Sequence, residues 1–178
     1  MQYRRTFAPG GAFFFTVVTF ERKKILAQEP ALLILRQAFR SVMIRHPFKI
    51  EAAVVLPDHL HMIWRLPKDD GDYPTRWRLI KSYFTRHWEG REDIPTTVSR
   101  KNKGERSVWQ RRYWEHMIRD EVDWKRHVEY IHYNPVKHGL ARSPGEWRYS
   151  SFGRFVKSGL YAEDWGGSVG VMMDERLE

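Results

Sequence analysis

The sequence predicts an α+β domain in which a β-α-β-β-α-β order builds a four-stranded antiparallel sheet, the ferredoxin-like (RRM-like) pattern. Three observations lead there. Apolar runs of strand length recur at Ala12–Phe20, Phe48–Leu56, His59–Leu66 and Val108–Ile118. Segments with apolar residues three and four apart separate the first run from the second and the third from the fourth. The middle two runs are joined by a few residues only, which suits a hairpin.

Gly10-Gly11 ends an N-terminal arm, and AFFFTVVTF follows as a strand rich in aromatic and β-branched residues. The first helix spans Pro30 to Arg45, with Leu32, Leu33, Leu35, Ala38, Phe39, Val42 and Met43 as its apolar stripe, and His46-Pro47 stops it. FKIEAAVVL and HLHMIWRL form the hairpin around Pro57-Asp58. A second helix spans Thr75 to Trp88, with Trp77, Ile80, Phe84 and Trp88 on one side. Glu89 to Ser107 is charged and aperiodic, a basic loop. After the fourth strand, Asp120 caps an additional helix from Glu121 to Tyr133, which Asn134-Pro135 ends. Residues 1–142 form the domain; residues 143–178 read as an extended tail packed on it.

Lys and Arg number 31 against 22 Asp and Glu, a net charge of +9, and aromatic residues make up 15% of the chain. Cations interleaved with ring faces suit single-stranded nucleic acid, whose phosphates pair while its bases stack. Rings filling the core are the plainer alternative. Cysteine is absent, which excludes disulfides, thiolate metal sites and a thiol nucleophile. No run is long enough to span a bilayer and no secretory leader is recognisable, so the expectation is a cytoplasmic protein away from membranes. There is no Walker loop, HExxH or glycine-rich dinucleotide turn.

His59-Leu60-His61 is the sharpest local feature. Residues two apart on a strand share a face, so the two imidazoles project together and offer half of a metal site. Two partly buried histidines with no ligand satisfy the same spacing. Tyr130 and Asn134 stand four apart, one above the other on the third helix, where a hydroxyl nucleophile and an amide-oxygen ligand could face one metal. Packing of Tyr130 beside Val128 and Ile131, with Asn134 ending the helix, fits that spacing equally. His127 and Tyr133 flank Tyr130 by three residues on either side. Basic clusters occur at Arg4-Arg5, Arg22-Lys23-Lys24, Arg76/Arg78/Lys81/Arg86, Arg100 to Arg106 and Arg111-Arg112.

VVLPDHLHMIWRLP, WRLIKSYFTRHW and VWQRRYWEHMIRDEVDWKRHVEYIHYNPVKHGL together resemble the REP-associated tyrosine transposases, within the HUH single-tyrosine transposases of bacterial insertion sequences. The match runs from Tyr3 to about Trp165, and the pairing of PDHLHMIW with YIHYNPVKHG is its specific part. The resemblance implies a divalent metal, Mg²⁺ or Mn²⁺, on His59, His61 and Asn134, and a catalytic Tyr130 that forms a 5′-phosphotyrosine. It implies single-stranded DNA folded as REP-type hairpins as substrate, with Arg4, Arg5, Arg76, Arg78, Lys81, Arg111, Arg112 and the tail as candidate DNA contacts. Some relatives carry an apolar residue at the position of Tyr133, so Tyr133 stands as an alternative nucleophile. The extended tail favours a monomer. The rival function is a non-catalytic DNA or RNA hairpin binder; an RRM-type binder needs exposed aromatics on the central strands, where this chain has histidines.

Overall fold

The computed structural model describes residues 8–89 and 108–167. Its strands are β1 (Ala12–Val18), β2 (Lys49–Val55), β3 (His59–Arg65) and β4 (Trp114–Met117), paired antiparallel in the order β2-β3-β1-β4. The helices are α1 (Glu29–Arg45), α2 (Tyr73–His87), α3 (Glu121–Lys137) and the short α4 (Phe152–Lys157). This is the expected α+β, ferredoxin-like arrangement. Among the described residues, no helix is long and apolar enough to cross a membrane.

The strand period of two divides the core into two layers. Phe13, Phe15 and Val17 on β1, with Leu60, Met62 and Trp64 on β3, pack under the α1 and α2 stripes, including Leu35, Phe39, Trp77 and Phe84. Ala12 and Phe14, with Ile63 and with Ala52 and Val54 of β2, face α3 through Val128, Tyr130 and Ile131. A sheet covered on both faces places His59 and His61 inside the protein, under α3, and Leu60 in the opposite layer.

Four local departures from the sequence expectation have physical causes. Leu33 is 49% exposed, because it falls at the margin of the α1 stripe. The fourth strand starts six residues late: pairing with β1 is lost before Trp114 and resumes as a single bridge between Thr19 and Trp109. The third helix runs through Pro135 to Lys137. Proline lacks one N–H, but in the last turn that removes a single helical bond, and His138 N still donates to Asn134 O. The tail is not extended throughout: Phe152–Lys157 is helical, and Phe155 enters the α3 layer of the core.

Residues 147–151 run along the free edge of β2. Val55 N donates to Tyr149 O, Ser151 N to Ala53 O, Ala53 N to Ser151 Oγ and Trp147 Nε1 to Val55 O. Ser151 Oγ is also hydrogen-bonded to His132 Nε2 at 2.8 Å, so one residue ties β2 to α3. Burial, with the nearby Arg154 charge, pushes the His132 imidazole down to about 3 and holds it neutral.

Arg76 departs furthest from expectation. It is 1% exposed, and its five N–H donors serve both Asp70 carboxylate oxygens and the carbonyls of His46, Pro47 and Asp72. The guanidinium is a buried bracket between the end of α1 and the start of α2, turned away from any phosphate. Its hydrogen bonds hold the Asp70 carboxyl below the usual carboxylate range. Arg76→Met should lower stability by about 3 kcal/mol, since it removes a buried cation that serves three backbone carbonyls and a carboxylate. Urea denaturation reads this directly, and a change below about 0.5 kcal/mol, typical of surface sites, would show the bracket to be dispensable.

Candidate metal and nucleophile site

At the β3 end of the α3 layer lies a cavity of about 250 Å³. β3 contributes His59 and His61, β1 contributes Thr16 and Val18, and α3 brings Tyr130, with His138 following just after its last turn. His59 and His61 are 5% and 3% exposed, with ring centroids 4.9 Å apart.

Each histidine is oriented through Nδ1. His59 Nδ1 lies 2.6 Å from Asp58 Oδ1. Burial raises the Asp58 pKa, but hydrogen bonds and charge from His59 and Arg22 outweigh it and leave the carboxyl below its ordinary value. An ionised carboxylate only accepts, so His59 donates from Nδ1, which leaves Nε2 as the ring atom that a ligand could take. His61 Nδ1 lies 2.9 Å from Thr16 Oγ1. Its pKa is well below the usual histidine value because of burial, reinforced by the positive charges that His59, His138, Lys137 and Arg22 can carry. His61 is therefore a neutral imidazole, and its buried Nε2 has no hydrogen-bond partner among the described residues.

Asn134, one helical turn beyond Tyr130, is fully buried, and neither Oδ1 nor Nδ2 has a hydrogen-bond partner among the described residues. A polar atom buried unsatisfied costs about 1–3 kcal/mol. An amide oxygen and an imidazole nitrogen left in this condition suit a divalent cation of the Mg²⁺ or Mn²⁺ class. Tyr130 is 2% exposed, and its ring lies 5.1 Å from that of His61 and 5.9 Å from that of Phe14. Lys137 places its ammonium 5.3 Å from the Tyr130 centroid.

Tyr133 faces elsewhere. Its ring meets Trp165 edge-on at 6.5 Å and packs under Gly166, whose φ of +74° and contacts with Pro144 and Tyr133 leave no room for a Cβ. The helix thus separates its two tyrosines, one into the cavity and one against the tail.

The remaining candidates divide cleanly. Arg78, Arg111 and Arg112 are exposed, whereas Lys81 donates to the carbonyls of Gln110 and Arg111. Arg4, Arg5, the basic stretch Arg100 to Arg106 and residues 168–178 lie outside the described residues. His127 belongs to a second cluster. His116 Nε2 and the Arg119 backbone and Nε donate to Asp123 Oδ2, and His127 Nδ1 is 3.2 Å from Oδ1. Burial raises the Asp123 pKa, yet hydrogen bonds from His116 and Arg119 hold it well below the normal range. The three ligand-capable side chains lie within 4.8 Å of one another, but the Arg119 guanidinium already balances the carboxylate. This network fastens β4 to the first turn of α3.

Sequence reasoning assigned no role to Asp58, Thr16, Arg22 or His138. Asp58 was accessible, being an acid next to a histidine. His138 was hidden by the expectation that Pro135 stops the helix; its ring meets that of His59 at 5.2 Å. Arg22 reaches the cavity because Glu21 and Arg22 both adopt left-handed backbone, with φ of 54° and 51°. Non-glycine residues rarely do so outside constrained sites.

No protein-family profile matches the chain. A Haemophilus influenzae protein provisionally named a REP-associated tyrosine transposase is 42% identical over 166 residues, covering 93% of each sequence. The REP-associated tyrosine transposase of Escherichia coli is 41% identical over 169 residues, 94% of this chain and 92% of that one. A solved structure, described as a REP-associated tyrosine transposase bound to a REP hairpin, superposes with a TM-score of 0.80 at 40% identity, over 98% of this chain and 94% of its own. With such identity across nearly the whole of both sequences, and with the histidine pair and Tyr130 in one cavity, the chain belongs to the REP-associated tyrosine transposases.

Proposed function

We propose that the protein cuts and rejoins single-stranded DNA at REP-type hairpins through a 5′-phosphotyrosine on Tyr130, with Mg²⁺ or Mn²⁺ on His59, His61 and Asn134. The observation that carries this reading is the convergence of a strand-borne histidine pair and a helix-borne tyrosine on one cavity. The hairpin substrate rests on the 40% identity to a transposase solved with a REP hairpin.

Tyr130 would lose its phenolic proton, its oxygen would bond to phosphorus, and the P–O3′ bond would break with the 3′-oxygen taking up a proton. A divalent ion held there would neutralise charge on the phosphate and the departing oxygen. The two imidazoles and an amide oxygen favour Mn²⁺ over Mg²⁺ in binding strength. Asp58 and Thr16 keep the two imidazoles aimed, and burial keeps His61 neutral. Lys137 faces the negative charge that Tyr130 carries before attack and after release. The phosphodiester is exchanged for a phosphotyrosyl ester, so a 3′-hydroxyl can reverse the step and join strands without ATP. The reading keeps the expectation of a monomer that acts on the chromosome in the cytoplasm.

A labelled hairpin oligonucleotide incubated with the protein and Mn²⁺ should yield a complex that survives SDS. Tyr133→Phe should form it at the wild-type rate, because Tyr133 packs on Trp165 outside the cavity. Wild-type protein that binds the hairpin but yields no adduct would instead identify a non-catalytic binder.

A further inference from the structure

Beside the site, the ladder between β1 and β4 opens. Thr16 pairs with Trp114 and Thr19 with Trp109, so a three-residue step on one strand faces a five-residue step on the other. The two surplus residues form an irregular bulge, a feature common beside functional sites, where it re-aims a side chain. Gln110 N donates to Val18 O at 3.0 Å, and Lys81 holds the carbonyls of Gln110 and Arg111 from α2, so the bulge is pinned at its base.

Between the bulge and β1 lies a second cavity, of about 490 Å³. It shares Thr16, Val18 and Trp114 with the histidine–tyrosine cavity, which makes the indole the partition between them. Trp114 is 40% exposed, yet its orientation is fixed: its ring meets Phe14 edge-on at 5.6 Å and lies within 6° of parallel to His116 at 5.9 Å. Exposed Arg112 lines the second cavity. The one carboxylate among its lining residues, Glu115, is engaged by the Tyr73 hydroxyl at 3.4 Å.

We propose that this second cavity is a subsite for one unpaired nucleotide next to the scissile phosphate, its base stacked on Trp114 and its phosphate paired with Arg112. The assignment rests on the cleavage reading above, which sets the scissile phosphate in the adjoining cavity. An oriented ring face with a cation beside it is the combination that single strands use, sequence-tolerantly. Bases within a duplex have both faces covered by their neighbours, so the subsite selects a strand that has left the hairpin stem. A simple anion would have no use for the indole.

The test places 2-aminopurine singly at each unpaired position beside the hairpin foot and binds the DNA to the Tyr130→Phe protein, which leaves the strand uncut. One position should lose fluorescence on binding. Adding Trp114→Ala should abolish that quench and weaken tailed hairpins about fivefold to a hundredfold, with bare hairpins bound as before; Trp114→Phe should restore most of both. Arg112→Ala should keep the quench but weaken tailed hairpins and flatten their salt dependence. An absence of quenching at every position, or quenching that persists in Trp114→Ala, overturns the subsite even where wild-type protein forms its adduct. Trp114-dependent quenching without any wild-type adduct sustains the subsite and defeats the Tyr130 reading.

Discussion

Tyr130→Phe is expected to abolish the SDS-resistant protein–DNA complex, lowering cleavage by about four orders of magnitude or more, while hairpin binding persists. The substitution removes a single oxygen. The ring keeps its contacts with His61, Phe14 and the Lys137 ammonium, so the cavity and the core layer beneath α3 remain as they are. What disappears is the atom proposed to bond to phosphorus. Labelled oligonucleotide on a denaturing gel reports the adduct, and fluorescence anisotropy reports binding. Residual adduct formation would place the nucleophile elsewhere, and running Tyr133→Phe alongside tests the obvious alternative.

The second large effect belongs to His61→Ala. Among the described residues, His61 Nε2 and Asn134 Oδ1 are buried without hydrogen-bond partners, and a cation held as proposed would engage both lone pairs. Mn²⁺ at a hundred times its dissociation constant should therefore stabilise the wild type by about 2.7 kcal/mol, or about 5–11 °C in melting temperature for a chain of this size. His61→Ala should lose that increment and cleave about a hundredfold or more slowly. It should also lower stability without metal by about 1–3 kcal/mol, because Thr16 Oγ1 loses its buried partner. Melting curves with and without Mn²⁺ separate the two contributions. If His61→Ala kept the full Mn²⁺ increment, the ion would bind at another place.

Much of this was readable before the structure, for a definite reason. Strand and helix periods are local, and they put Phe14 and Phe15 on opposite faces, His59 with His61, and Trp77, Ile80 and Phe84 in one stripe. Contacts closed by the tertiary fold were not readable. Arg76 occupies a polar helix position in sequence, yet Asp70 and the end of α1 enclose it. Pro135 looks like a stop, and only its place in the final turn makes it tolerable, which carries His138 to the cavity. Nor does any periodicity announce the two extra residues that open the ladder beside Trp114. The family resemblance supplied the roles of Tyr130 and Asn134, where spacing alone permitted ordinary packing.

Residues 147–151 seal an edge strand that was made long before them. Ser151 stands 98 residues after its partner Ala53. At ribosomal speeds of about 5–20 residues per second, β2 waits roughly 5–20 s for its cover. Throughout that interval the nascent sheet offers a row of unpaired backbone groups, the template on which strands of neighbouring chains assemble. Solubility during synthesis is thus tied to how quickly the 98 residues from Ala53 to Ser151 are translated, a demand that the finished fold no longer displays.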